Sequence, residues 1–202
     1  MLAQLIVLLI LVSLIGLGVF AFRKSRSMQG EVEVALADFG QAVGATFDPK
    51  TRSFTGTLDG HAVTVVEAKQ GTGGEYEYFV RMTVATTPTA TLELLPQRGG
   101  FVPTFVTDLK TGDADFDRWF VVRGSDPAAV QRVLTPDRRR QLLEWQTSGW
   151  LWELRVRDGA LHFAGGQGLF RRDQVEKTLV LLRAMVELTE ALEAAVTVPA
   201  RS

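Results

Sequence analysis

Residues 75–84, EYEYFVRMTV, carry apolar and polar side chains that largely alternate, and this pattern is the strongest indication of the fold. Successive side chains of a β-strand point to opposite faces, so this period of two predicts a strand with one buried face and one solvated face. The predicted buried face consists of Tyr76, Tyr78, Val80, Met82 and Val84. A strand with one wet face is typical of an antiparallel sheet.

Neighbouring segments show the same alternation and are separated by short turn sequences. Asp59-Gly60 and Asp158-Gly159 each divide two alternating runs, and Asp-Gly is a strong signal for a two-residue hairpin. A loop at 70–74, QGTGG, joins the stretch above to the strand before it, and a further short strand is expected at 91–95. These features predict a sheet that is mostly antiparallel.

Helical spacing and capping residues place helices before and between the strands. The apolar residues of 31–43 recur every three or four positions, which predicts a helix. Asp126-Pro127 and Thr135-Pro136 each combine a capping side chain with a proline suited to the first helical position. Two short helices are therefore expected in the second half of the chain.

A last helix is predicted from a capping box of Asp173 and Glu176 to about Val196. Together these elements predict an α+β fold, with one mostly antiparallel sheet domain and flanking helices over residues 31–196. A disordered tail is expected at 197–202.

The densest acidic group lies in the segment 111–127, whose middle is predicted to be a strand. Asp113, Asp115 and Asp117 occupy every second position, and carboxylate oxygens are the ligands that calcium and magnesium prefer. The segment lacks the glycine and glutamate that an EF-hand loop needs at its sixth and twelfth positions. The three aspartates form a candidate acidic site.

A structural role is the favoured interpretation of these aspartates. Asp113 and Asp115 are expected to bind backbone groups of a turn, as aspartates commonly do. Asp117 is expected at the start of the strand, paired with Arg118 or Arg123.

The same segment carries a family resemblance. The residues that carry it are Gly112-Asp113, Phe116-Asp117, Phe120, Val122, Asp126 and Leu134-Thr135-Pro136. Over residues 100–145 this pattern resembles a family of uncharacterised bacterial membrane-anchored proteins known only as a domain of unknown function. The resemblance implies a membrane-associated bacterial domain and carries over no activity and no functional residue.

The first 22 residues predict a transmembrane helix. From Leu2 to Phe22 there is no charged residue, and the only polar side chains are Gln4 and Ser13. At about 1.5 Å per residue, a helix of this length spans roughly 30 Å, the thickness of the hydrocarbon core of a bilayer. Residues 2–22 are therefore expected to contact membrane lipid.

Positive charges at Arg23, Lys24 and Arg26 follow the apolar run, within a basic juxtamembrane linker at 23–30. The positive-inside tendency keeps such a flank in the cytoplasm, so the domain is expected to face the cytoplasm from the inner (plasma) membrane. A cleaved signal peptide would carry its positive charges before the apolar run, which is the reverse of the order in this chain.

Composition beyond the linker excludes several classes of protein. All 23 acidic residues lie beyond residue 29, together with all but three of the 22 basic ones. This weakly acidic balance does not fit a nucleic-acid-binding domain, so no nucleic-acid partner is expected. The absence of cysteine excludes disulfides, thiolate catalysis and cysteine-ligated zinc. No cofactor is expected.

Histidines and tryptophans are the remaining candidates for chemistry. His61 and His162 are the only histidines, and no serine nucleophile or carboxylate pair stands beside either in the sequence. Both are predicted to be surface residues and not general bases. The four tryptophans are predicted to lie in the core, although they could line a ligand cleft: Trp119, Trp145, Trp150 and Trp152.

No pattern typical of catalysis emerges, which favours a single-pass membrane-tethered, non-catalytic interaction or scaffold domain with an unknown protein partner. One alternative is a hydrolase or metal-dependent enzyme that uses the loop from Asp113 to Asp117. Another is a binder of lipid or a small apolar ligand. A deep pocket beside the aspartates would favour the enzyme, and an open apolar cleft the ligand binder. A flat surface with one exposed apolar patch would favour the interaction domain.

Overall fold

The computed structural model describes residues 30–71, 76–87, 91–97, 108–169 and 171–197. The predicted transmembrane helix, the basic charges beside it and residues 198–202 of the predicted tail lie outside the described residues, whereas Thr197, the first residue of that tail, ends the last helix. Within the described ranges no helix is both long and apolar enough to cross a membrane. The domain predicted at 31–196 falls within these ranges except for the gaps between them.

Across the described ranges seven strands form one sheet, in which every neighbouring pair is antiparallel. The strands are β1 (Ser53–Leu58), β2 (His61–Gln70), β3 (Glu77–Ala85), β4 (Leu92–Pro96), β5 (Phe120–Gly124), β6 (Glu153–Arg157) and β7 (Ala160–Gly165). Their order across the sheet is β1-β2-β3-β7-β6-β4-β5. The last strand in the chain therefore lies in the middle of the sheet, between β3 and β6.

Five helices accompany the sheet in the described part of the chain. They are α1 (30–42), α2 (Ala114–Trp119), α3 (Pro127–Val133), α4 (Pro136–Thr147) and α5 (Arg172–Thr197). Asp126 and Thr135 cap α3 and α4, each with a proline in the first turn. The α+β class, the antiparallel sheet, the flanking helices and these two caps are confirmed.

Both Asp-Gly hairpins are also confirmed. In β1–β2 the paired residues Leu58 and His61 enclose Asp59 (φ 49°) and Gly60 (φ 86°). The hairpin of β6 and β7 repeats this arrangement at Asp158 and Gly159, whose φ angles are 53° and 71°. Positive φ at both central residues matches the twist of the flanking strands, which explains why this dipeptide fixes the register.

The apolar core lies on one face of the sheet, here called the covered face. Its centre is a row of residues paired from strand to strand, each no more than 2% exposed: Phe54, Val65, Met82, Phe163, Leu154, Leu94 and Val122. This apolar row belongs to a single core with Phe39 of α1, Leu142 of α4 and Leu182 of α5. On the opposite face, here called the open face, Thr55, Arg81 and Arg157 are exposed to solvent.

The segment around the aspartates differs from its predicted form. A six-residue helix, α2, replaces the first part of the expected strand, and β5 begins only at Phe120. The reason is local: the Asp113 side chain accepts a hydrogen bond from the Phe116 backbone and so caps a helix. Asp117 therefore lies inside a helix, and its prediction at the start of a strand is wrong.

The start of the last helix also differs. Arg172 begins α5, and the Arg171 carbonyl accepts from the N–H of Val175, so Asp173 lies inside the first turn. There it forms ion pairs with Arg171 and Lys177, and the predicted capping box is wrong. A carboxylate in the first turn still interacts favourably with the positive end of the helix dipole.

Candidate functional site

In the candidate acidic site, the carboxylates of Asp113 and Asp117 are both bound by other groups of the chain. One oxygen of Asp113 accepts from the Phe116 backbone N–H at 3.2 Å, and the other contacts Arg139 Nε at 3.1 Å. The Phe116 hydrogen bond, followed by the bond and charge of Arg139, lowers the pKa of Asp113 below its ordinary value. Asp113 is therefore a cap and an ion-pair partner that joins α2 to α4.

Asp117 is also engaged by the chain itself. Its Oδ1 accepts from the backbone N–H of Thr111 at 2.9 Å and from the Thr111 hydroxyl at 2.8 Å, and its Oδ2 accepts from the Gly112 N–H at 3.2 Å. The expected partner Arg123 instead donates to Glu93 at 3.0 Å. Asp117 thus closes the turn before α2. It forms an ion pair with neither Arg118 nor Arg123 among the described residues, so its predicted pairing with one of these arginines is wrong.

Asp115 is exposed and does not join the other two. Among the residues that the structure describes, no group of three or more histidines and carboxylates is placed to hold a metal ion. The acidic segment therefore acts within the described fold as a capped turn that carries α2 and leads into β5.

The open face of the sheet presents a different arrangement, which sequence reasoning missed. One polar row crosses all seven strands in register: Thr55, Thr64, Thr83, His162, Arg155, Glu93 and Arg123. Each member precedes or follows a member of the apolar row by one position, so the two rows occupy opposite faces. Threonines form one end of the polar row, and ionisable side chains occupy the middle and the other end.

A groove runs along β7 in the middle of this face. Its floor is formed by His162 and Ala164, and its volume is about 200 Å³. Side chains on the two neighbouring strands form its walls: Arg81 and Thr83 on β3, and Glu153, Arg155 and Arg157 on β6. A small alanine between longer side chains makes this part of the face concave.

Positive charge exceeds negative charge in the groove. Arg155 forms an ion pair with Glu153 on the same strand. Arg81 lies 5.3 Å from the centre of the Phe79 ring, and neither Arg81 nor Arg157 forms an ion pair with a described carboxylate. The groove thus combines three arginines with one glutamate.

His162 is half-buried at the centre of the polar row, and not freely exposed as a surface residue would be. Its Nδ1 lies 3.5 Å from the Thr83 hydroxyl, whereas its Nε2 is buried and has no hydrogen-bond partner among the described residues. A buried polar atom without a partner is uncommon in native proteins. The other histidine, His61, has its Nδ1 3.0 Å from the Ala85 carbonyl.

The groove continues into a wider depression of about 450 Å³, whose lining mixes polar and aromatic side chains. The two share Arg81, Glu153 and Ala164, and the second adds Phe79, Gln70, Leu95, Pro96 and Trp152. The rings of Phe79 and Trp152 lie 5.1 Å apart, and the Trp152 indole donates to the Gly149 carbonyl. The open face is therefore basic along β7 and aromatic at one end, in contrast to the single apolar patch expected of an interaction domain.

The tryptophans divide between the core and the surface. Trp150 is buried as predicted, Trp145 and Trp152 are half-buried, and Trp119 is 41% exposed, so its prediction as a core residue is wrong. Trp119 is the last residue of α2. Its side chain is exposed, whereas that of the adjacent Phe120 is fully buried.

A separate apolar depression of about 250 Å³ lies between α4 and α5. Its lining consists of Trp145, Ser148, Trp150, Lys177, Val180 and Leu181. Within the described fold, this depression is the best match to the tryptophan-lined ligand cleft that the sequence suggested as an alternative.

Comparison with known proteins returns no match for this chain, whether with protein-family models, with curated proteins or with solved structures. The resemblance of residues 100–145 to a membrane-anchored family therefore stays a prediction.

Proposed function

We propose that this protein is a single-pass membrane-tethered, non-catalytic interaction domain that binds a protein partner through the open face of its sheet. The observation that carries the proposal is the polar row and groove on that face. Helices pack on the other face, whereas arginines and a half-buried histidine line a concave solvent-facing surface here. A surface that carries an excess of positive charge can select a partner of complementary charge, although it is not the flat apolar patch expected of an interaction domain.

The arrangement of the aspartates favours binding over catalysis. The carboxylates of Asp113 and Asp117 are used to cap α2 and to close the turn before it. A general base or metal ligand needs a carboxylate oxygen directed at a substrate or ion. The hydrolase alternative has no comparable support from the described residues.

The membrane tether is proposed from residues 2–22, which would contact lipid, and from Arg23, Lys24 and Arg26, which would hold the domain at the cytoplasmic side of the inner membrane. The linker at 23–30 could extend by about 25 Å at most, so the partner would be met near the membrane surface.

Topology is tested with single cysteines, because the chain has none of its own. A cysteine at Ser202 or at the exposed Glu187 should be protected from a membrane-impermeant thiol reagent in intact cells and labelled after permeabilisation. Removal of residues 1–27 should release the domain from membranes that retain the full chain in a carbonate wash. Labelling in intact cells would contradict the orientation, and release of the full chain would contradict the tether.

Partner binding is tested by photo-crosslinking in native membranes. A photoreactive residue replaces Ala164 in the groove, and a matched one replaces Glu187 on the exposed side of α5. We expect a discrete crosslinked protein from position 164 and none from position 187. Equal products from both positions, or none from position 164, would contradict the proposed binding face.

A second candidate function follows from the depression between α4 and α5. Its surface is mainly apolar, and Lys177 at its edge could exchange its long, exposed ion pair with Asp173 (3.7 Å) for the carboxylate of a fatty acid. A medium-chain fatty acid should then raise the melting temperature of the wild type, by mass action, and not that of the Val180→Arg variant. No shift in either protein would remove this candidate.

A further inference from the structure

The groove along β7 has features that specify the chemistry of its occupant. We infer that it binds an extended acidic segment of a partner protein, with an aromatic or aliphatic side chain of that segment at the Phe79 and Trp152 end. The inference rests on the proposed function and adds the chemical class of the partner.

Charge is the first argument. Within the groove, Arg81, Arg155 and Arg157 face one glutamate, Glu153, although the domain as a whole is weakly acidic. Arginine recognises carboxylates through paired N–H donors, and complementary charge selects partners and speeds their association. Glu153 forms an ion pair with Arg155, so Arg81 and Arg157 are the arginines that can bind carboxylates of the partner.

The buried Nε2 of His162 is the second and independent argument. It lies in the floor of the groove without a described partner, and Thr83 is the polar neighbour of the other ring nitrogen. A carboxylate placed between the arginine walls would provide the missing hydrogen bond when that nitrogen carries a proton. The ring would then be bound from both sides.

The position of β7 specifies how the segment is held. Both edges of β7 are already paired, to β3 and to β6, so its backbone cannot accept an added strand. The partner must therefore be bound through its side chains, and the six residues of β7 offer a length of about 20 Å. The aromatic end supplies the apolar contact that charge alone lacks, since Phe79 and Trp152 lie beside the basic part.

The test uses the full chain in a neutral detergent and two fluorescein-labelled peptides of about eight residues, which alternate glutamate with serine and carry a tryptophan at one end or the other. Matched peptides carry glutamine in place of glutamate. We expect at least one acidic peptide to bind about tenfold or more tightly than its glutamine counterpart, and this preference to weaken as salt is raised.

A charge-matched pair of variants locates the site. Arg81→Glu with Arg157→Glu should abolish the preference for glutamate, whereas Arg118→Glu with Arg183→Glu makes the same charge change at exposed positions of α2 and α5 and should retain it. Equal melting temperatures of the two double variants show that the groove variant is folded. A large loss of stability in the groove variant alone would mean that the chain itself covers this face, which overturns the inference.

Other occupants give distinct results. Vesicles of anionic lipid could instead bind the wild type and not the groove variant. If no peptide preference is then seen, the occupant of the groove is a membrane surface and not a peptide. A dimer in light scattering that the groove variant loses would replace it by a second copy of the chain. A crosslink from position 164 without any preference for acidic peptides would leave the proposed function in place and refute the acidic partner.

Discussion

The apolar row and the polar row cross the same seven strands one residue apart, and they differ in almost every other property. The apolar row is wholly buried beneath the helices, whereas the polar row carries threonine, histidine, arginine and glutamate at half-buried or exposed positions. A shift of one residue in any strand would exchange the two sets. The apolar row therefore fixes the register. The residues of the polar row do not have to specify the fold, so they can be used for binding.

The sharpest test of this contrast uses two adjacent residues of β7. Phe163 is a buried member of the apolar row, and His162 is its neighbour in the polar row. Phe163→Ala should lower the free energy of unfolding by about 3–5 kcal/mol, because it removes core contacts and leaves a cavity. His162→Ala should change it by only about 0.5 kcal/mol, and urea denaturation measures both. Equal losses would show that the open face is a second core.

A second comparison uses two glutamates, one on each face. Glu67 on the covered side has a side chain only 1% exposed, which accepts from the Leu169 backbone at 2.7 Å and pairs with Arg52 at 2.6 Å. Glu67→Ala strands the buried N–H of Leu169, which should cost about 1–3 kcal/mol.

The counterpart on the open face is Glu93, which forms an ion pair with Arg123. Each of the two side chains is about one quarter exposed. Loss of such a pair should cost no more than about 1 kcal/mol, so Glu93→Ala should unfold at a higher urea concentration than Glu67→Ala. Glu67→Gln is the control, since its side-chain oxygen still accepts from Leu169. The contrast between the faces fails if Glu93→Ala is the less stable of the two alanine variants.

The sequence predicted the parts of this contrast that depend on local pattern. Alternation in residues 75–84 and the two Asp-Gly turns specify strands and hairpins without reference to distant residues, although Tyr76, which was predicted to be buried, precedes β3 and is 51% exposed. Alternation could not place β7 between β3 and β6, because that pairing brings together residues about 80 positions apart, such as Thr83 and His162. The groove was therefore missed, although its arginines stood at the polar positions of recognised strands.

The errors near the aspartates have a local cause. Asp113 was expected to bind a turn and does so, but the turn it caps continues into a helix of six residues that competes with the strand. Three polar residues among 114–119, with aromatics at 116, 119 and 120, fit both a helix and a strand. The Asp113 cap and the burial of Phe116 against Phe120, whose rings lie 4.7 Å apart, together favour the helix.

Caps on the covered side give a third and smaller effect. Asp126 accepts from two N–H groups at the start of α3, so Asp126→Ala should cost about 1 kcal/mol. Asp113→Ala should cost a similar amount, because Asp113 caps α2 and also holds Arg139. Asp115→Ala, at an exposed position, should stay within about 0.5 kcal/mol in thermal melts. If millimolar calcium raised the wild-type melting temperature and this rise vanished in Asp115→Ala, the structural role of the segment would be refuted.

The smallest effect concerns how the covering helix α5 is fastened, and it is present at neutral pH and lost in acid. Glu193 near the end of α5 accepts from the Thr87 backbone, the Thr87 hydroxyl and the Thr86 hydroxyl at 2.8–3.0 Å. These bonds, the Thr87 backbone foremost, lower the pKa of Glu193 from its ordinary value of 4.5. A carboxylate with a lowered pKa stabilises the fold above the unfolded-state pKa, and this contribution is lost as the pH falls through the folded-state value.

Glu193→Gln should therefore lower the melting temperature at pH 7, and its difference from the wild type should shrink as the pH falls from about 5 to about 3. Glu187→Gln, at an exposed position of the same helix, provides the control, and a difference that stays constant with pH would show that α5 is not fastened through the Glu193 charge.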